Sequence, residues 1–252
     1  MKELSGVKKA LLDTYKYRIE LHAHTKPVSA CGRVLPEEQV DFYAEKGYDA
    51  IVITNHMTRV ITPEGENVDF FDGNNLEEKL VYYMSGYEKA KIYAENKGIK
   101  VLLGAELRFA ECINDYLLFG ADRDILEKCY EYLPYTLEKF RNEVKLDKSV
   151  LIWAHPKRDR MIPIDTSLVD GIETFNLHPG QNSRIGLAAR LAYESGAKIV
   201  TCGSDCHNDI EGAVGTCALR TKTLPSDSFE LAAILKSGDY IFEVGETSVV
   251  LP

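Results

Sequence analysis

The chain has 252 residues, 45% of them hydrophobic and 27% charged, with 39 Asp and Glu against 30 Lys and Arg and a net charge of -9. This supply of core-forming side chains excludes a disordered or collagen-like chain, and the length suits one large barrel or two small domains. The acidic balance excludes general binding of extended nucleic acid or of an anionic membrane, since both need a positive surface.

Met1 to Asp13 carry Lys2, Lys8 and Lys9 but no continuous apolar run, so no signal peptide is read there and a cytoplasmic location is expected. From Tyr17 onward, short apolar runs alternate with longer amphipathic ones. The expected strands are Tyr17 to Leu21, Ala50 to Thr54, Lys100 to Gly104, Tyr116 to Gly120, Val150 to Ala154, Gly171 to Phe175 and Lys198 to Cys202. Between them a helix starts at Pro36, with Glu37 and Glu38 suiting its dipole, and stops at Gly47. Further helices are expected over Leu76 to Asn96, over Asp124 to Val144 with a break near Pro134, over Ser183 to Ser195, and over Ser226 to Lys236.

No linker, repeat or low-complexity tract interrupts the alternation, which predicts a single domain over residues 1–252. The apolar runs are too short to span a bilayer. The longest irregular stretch, Met57 to Asn75, contains Pro63, Gly65, Gly73, Asn74 and Asn75 and would overhang the strand ends as a substrate lid. Six cysteines form no Cys-x-x-Cys pair and read as reduced thiols.

All six histidines, His22, His24, His56, His155, His178 and His207, fall at or just after an expected strand, as do Glu106 and Asp205. In a βα barrel the strand ends converge on one face, so these side chains should meet there. In Glu20-Leu21-His22-Ala23-His24-Thr25 the two imidazoles are two residues apart, on one side of a strand, and can bind one ion. Asp205-Cys206-His207 repeats that spacing with a carboxylate. Imidazole with carboxylate suits Zn, Mn and Fe(II), and the lack of paired thiols argues against a structural zinc finger.

These motifs resemble the PHP (polymerase and histidinol phosphatase) family of metal-dependent phosphoesterases. The order His22-Ala23-His24-Thr25, Ile53-Thr54-Asn55-His56, Trp153-Ala154-His155-Pro156 and Gly203-Ser204-Asp205-Cys206-His207 is similar to the four family motifs, and Glu106 stands where the family has its bridging glutamate. The resemblance implies an α/β fold, a distorted (β/α)7 barrel of TIM-like kind. It also implies two or three divalent metal ions, Zn, Mn or Fe, at the strand ends. His22, His24, Glu106 and Asp205 would hold the first, Glu106 and His155 the second, and His56 and His207 a third. The chain departs from the fuller pattern at Val28 to Gly32, which offers only Cys31 where many members have His or Asp. It also has no His from Leu107 to Ala154, so the second site is expected to be open or completed by water. Asn55 and Glu20 replace Asp before the second and first motif histidines and would orient those imidazoles.

The implied activity is hydrolysis of a small phosphomonoester, for example histidinol phosphate or a nucleotide, by metal-activated water. His207 or His178 would protonate the leaving oxygen. Arg158 would grip phosphate, with Lys26 and Arg33 assisting. Two alternatives stand beside this reading. The first is an amidohydrolase-type metal hydrolase, against which Tyr116 to Gly120 offers no bridging Lys. The second is a PHP module that binds metal without turnover.

Overall fold

The computed structural model describes residues 5–61, 67–69, 73, 75–208, 212–245 and 248–252. Helix α1 (Gly6–Thr14), capped by the Ser5 side chain, leads into β1 (Tyr17–Ala23), α2 (Pro36–Glu45) and β2 (Ala50–Ile53). There follow β3 (His56–Ile61), β4 (Asn67–Asp69), α3 (Leu76–Ala94), β5 (Lys100–Arg108) and β6 (Tyr116–Phe119). The second half continues with α4 (Arg123–Tyr132), α5 (Leu137–Glu143), β7 (Val150–Trp153), β8 (Gly171–Asn176), α6 (Ile185–Ser195) and β9 (Ile199–Gly203). It closes with β10 (Cys217–Thr221), α7 (Ser228–Ser237), β11 (Ile241–Val244) and β12 (Ser248–Val250).

The strands form one curled sheet in the order β12-β11-β10-β1-β2-β5-β6-β7-β8-β9. Beyond β9 the chain returns to β1: the backbone N–H of Cys206 donates to His22 O at 3.2 Å, and that of His24 donates to Cys206 O at 3.0 Å. The fold is therefore the expected α/β class, a distorted barrel-like sheet wrapped by helices. All seven expected strands are present.

Strict parallel alternation is not. Strand β6 runs antiparallel to both β5 and β7, because only residues 109–115 separate β5 from β6, too few for a helical crossover. The β10–β12 ribbon and α1 are additions that the sequence pattern did not single out. Much of the expected lid is a β-ribbon, in which Arg59 pairs with Asp69 and Ile61 with Asn67, while His56 pairs with Glu106 of β5. Pro63, Gly65 and Asn74 lie outside the described residues.

Burial explains the long apolar runs. Ala50, Ile51, Val52 and Ile53 of β2 are all buried, as are all four residues of β7, since both faces of the sheet are covered. Phe109, Tyr116 and Trp153 pack in one cluster with Phe140 of α5, and Leu231 and Leu235 of α7 pack in another with Phe242. Ser228 pins α7 to the sheet: its hydroxyl accepts from Gly120 N at 2.8 Å and donates to Leu103 O at 2.5 Å. Among the described residues no helix is long and apolar enough to cross a membrane.

Candidate metal centre

The strand ends bring together every imidazole and carboxylate expected to hold metal. His22 and His24 come from the end of β1, His56 from the start of β3, Glu106 from β5, His155 from just after β7, and Asp205 and His207 from just after β9. His155 (φ 30°) and Asp205 (φ 52°) have left-handed backbone, which L residues seldom adopt, at the turns that carry their side chains into the mouth. Gly203 is required where β9 crosses β1, because a Cβ there would lie 2.4 Å from His22 Cβ and 2.8 Å from Glu173 Oε1.

Glu106, fully buried, lies at the centre. Its Oε1 is 3.3 Å from His22 Nε2 and 3.1 Å from His155 Nε2, and its Oε2 is 3.3 Å from His24 Nε2 and 3.0 Å from His56 Nδ1. Asp205 Oδ1 faces His22 Nε2 at 3.4 Å and His24 Nε2 at 3.2 Å. His22, His24 and Asp205 form one group whose ligand atoms lie within 4.8 Å of one another; His22, Glu106 and His155 form a second, and His24, His56 and His207 a third.

Hydrogen bonds behind the imidazoles fix their tautomers. His22 Nδ1 donates to Glu173 Oε1 at 2.9 Å, so in the neutral ring Nε2 carries the lone pair, facing Glu106 and Asp205. Ser29 Oγ donates to Asn55 Oδ1 at 3.0 Å, so His24 Nδ1 must be the donor in its 3.2 Å contact with Ser29 Oγ, and His24 Nε2 is again bare. Asn55 thus orients His24, an imidazole of the first motif, through Ser29 and not the His56 that it precedes. Glu20 acts on the backbone instead, accepting from His22 N at 2.8 Å and Ser204 N at 3.0 Å.

Charge confirms how unusual the cluster is. Burial disfavours ionised Glu106, but His56, His22 and His155 outweigh it and hold its carboxyl well below the ordinary range. Asp205 is held low against burial by His22, His24 and Arg158. Burial also opposes charge on His22 and His56, yet the neighbouring carboxylates raise both well above the ordinary imidazole value. His24 goes the other way, because burial together with His207 and His56 keeps it neutral. Burial pushes the Glu20 carboxyl up to about 7.

The donor set fits divalent cations. Among the described residues, His22 Nε2, His24 Nε2 and Glu106 Oε2 are buried and make no hydrogen bond, an arrangement that costs free energy unless a cation satisfies the lone pairs.

Above the cluster opens a cavity of about 500 Å³ lined by Cys31, Arg33, Arg108, Asp115, Arg158, Arg160, His178, His207 and other residues. Arg33 and His178 are therefore at the mouth, whereas Lys26 is not among the lining residues. Arg158 Nη2 donates to Asp205 Oδ2 at 2.5 Å and to Asn176 Oδ1 at 2.8 Å, which clamps the carboxylate. The Cys31 thiol sits against His207 and His56, which outweigh burial and bring it down to about 6. Cys206 points away from the cluster, toward Asn208 O at 3.3 Å.

Arg108 and Arg160 of the mouth went unread in the sequence, as did Glu173 and Asp115. Glu173 lies mid-strand in β8 and holds both His22 and, through Oε2, the His155 backbone N–H at 2.9 Å. Its signal was a charged residue inside an apolar strand. Asp115 reaches the strand-end face because β6 is antiparallel, and the short β5–β6 connection was the available clue.

A curled βα sheet whose strand ends gather imidazoles and carboxylates around bare lone pairs defines a metal-dependent hydrolase. The model of the PHP domain matches residues 20–224, and the chain belongs to the PHP domain family. Among solved structures, it is similar to a two-domain protein from Bacteroides vulgatus containing an inferred PHP-like metal-dependent phosphoesterase, with 18% identity and a TM-score of 0.55. That match covers 91% of this chain and 65% of the other, so the chain spans just under two thirds of that protein. A provisionally assigned metal-dependent phosphoesterase from Bifidobacterium adolescentis matches with 16% identity, covering 75% of this chain and 87% of the other, at a TM-score of 0.49. An amidohydrolase from Chromobacterium violaceum matches with 14% identity and the same coverages, at 0.46. Comparison with curated proteins finds no match.

Proposed function

We propose that the chain hydrolyses a small phosphomonoester at a centre of two or three divalent ions, Zn, Mn or Fe. Adjacent divalent ions lower the pKa of water and neutralise charge on phosphoryl oxygens. His22, His24, Glu106 and Asp205 hold the first ion in this reading, and Glu106 and His155 the second. In a three-ion form His56 and His207 hold the third, and His207 is free as a proton donor in the two-ion form. The observation that carries the reading is Glu106, whose two oxygens face different imidazoles at 3.0–3.3 Å.

The remaining residues supply orientation and protons. Arg33 and Arg160 line the mouth and offer guanidinium groups to phosphate oxygens. His207 Nδ1 donates to Asp205 O at 2.8 Å. Burial opposes charge on this ring, but Cys31 and Asp205 outweigh it and raise its pKa, so His207 keeps a proton for the leaving oxygen. His178 Nδ1 accepts from Gly180 N at 3.0 Å, which leaves Nε2 as the ring nitrogen that can donate. That arrangement suits His178 to orienting substrate and His207 to proton donation. All six cysteines are unpaired, which supports a reducing, cytoplasmic setting.

The test is Glu106→Gln. The variant should bind fewer ions per chain and lose metal-dependent phosphate release. Unchanged metal occupancy and turnover would refute the assignment.

A further inference from the structure

Resting on the phosphoesterase reading, we infer that Asp115 is a ligand of the second ion, in the position that the sequence left open. Asp115 immediately precedes β6, and the antiparallel course of that strand sets it beside the ends of β5 and β7. Its backbone O accepts from Ala154 N at 3.0 Å, which locks it next to His155. The carboxylate is buried, and Oδ2 lies 3.8 Å from His155 Nε2. Asp115, Glu106 and His56 each present a ligand atom within 4.8 Å of the other two.

Ligand atoms bound at about 2.0–2.2 Å to a tetrahedral ion stand about 3.4 Å apart, so shifts of about 1 Å close this set around a cation. Glu106 Oε2, buried and without a hydrogen bond among the described residues, is a second observation that points to a cation ligand there. Arg108 does not use up Asp115. Its Nε and Nη2 donate to Oδ1 and Oδ2 at 2.7 Å each, one bond per oxygen, and each carboxylate oxygen offers a second lone pair. The guanidinium fork fixes the carboxylate plane while Oδ2 turns its remaining lone pair toward the ion. Arg108 is then a positioning residue. The site so formed has the carboxylates of Asp115 and Glu106 and the imidazole of His155, joined by His56 in the two-ion form, a set suited to Mn or Fe(II) as well as Zn.

The experiment loads the EDTA-stripped chain with Mn(II). It measures equivalents per chain by elemental analysis and site affinities by calorimetry, with thermal melts to confirm folding. The wild type should take up at least two ions. Asp115→Asn, isosteric and uncharged, should lose one equivalent or weaken one site by about tenfold or more. Asp115→His should restore the site with an imidazole, and Arg108→Lys should keep both ions. Wild-type stoichiometry and affinity in Asp115→Asn would overturn this assignment alone. So would loss of the same equivalent in Arg108→Lys with no recovery in Asp115→His, because Asp115 would then serve only to hold Arg108. A wild type that takes up no Mn(II) would overturn both the assignment and the phosphoesterase reading.

Discussion

Glu173→Gln changes one atom of a side chain that touches no substrate, yet it should weaken the first metal site. Glu173 Oε2 accepts from His155 N at 2.9 Å and from Asn176 Nδ2 at 3.0 Å, while Oε1 accepts from His22 Nδ1 at 2.9 Å. A glutamine must keep its carbonyl toward His155 N–H, a donor that cannot reverse. Its NH2 group then faces His22 Nδ1, and the imidazole responds by moving its proton to Nε2, the atom needed for metal. The variant loses a charge-assisted hydrogen bond and must reverse that tautomer before an ion can bind. Losses of this kind weaken metal affinity by about tenfold to a hundredfold, or about 1.4–2.8 kcal/mol. Competition against a chelator measures the affinity, and ¹⁵N chemical shifts of the metal-free His22 ring, recorded above the pH at which the imidazolium loses its proton, report the tautomer. An affinity within about threefold of wild type, with the proton still on Nδ1, would refute the argument.

Gly203→Ala should crowd His22 and Glu173 together, costing about 1–3 kcal/mol in urea denaturation and lowering metal affinity; an unaltered metal isotherm would contradict the close approach. His207→Gln should slow hydrolysis of alkyl phosphates by about 10²–10⁴-fold but barely affect p-nitrophenyl phosphate, whose leaving group needs no proton. Equal losses on both substrates would remove His207 from the role of acid. Glu20, whose carboxyl rises from 4.5 to about 7 on folding, favours the metal-free native state fully below pH 4.5, and that contribution is lost as pH rises through 7. The loss amounts to about 3 kcal/mol, so Glu20→Gln should be the more stable protein at pH 8 and nearly equal to wild type at pH 4.5. Parallel stability–pH curves for the two proteins would show that Glu20 does not titrate this way.

The site was legible where chemistry is local. His22 and His24 alternate along one strand, and Asp205 and His207 repeat the spacing after another, so convergence followed from the βα pattern alone. Strand direction was the hidden variable. An apolar run such as Tyr116 to Gly120 looks the same in either sense, and only the antiparallel course of β6 brings Asp115 to the strand-end face, beside Arg108 at the end of β5. Glu173 was hidden differently, because its role lies in the proton it takes from His22, 151 positions away. Arg158, read as a phosphate grip, is bonded to Asp205 and Asn176, partners that only the closed sheet brings within reach. The β10–β12 ribbon escaped notice because Ile241 to Val250 is short and broken by Gly245, with no polar motif to mark it.

The most direct measurement is phosphate release from a panel of small phosphomonoesters by the chain after EDTA treatment, before and after reconstitution with Mn or Zn, with His22→Ala alongside. The account predicts turnover that is absent without metal, restored on reconstitution and abolished in His22→Ala. No release from any ester by the metal-loaded chain, or release that survives EDTA and His22→Ala, would contradict it.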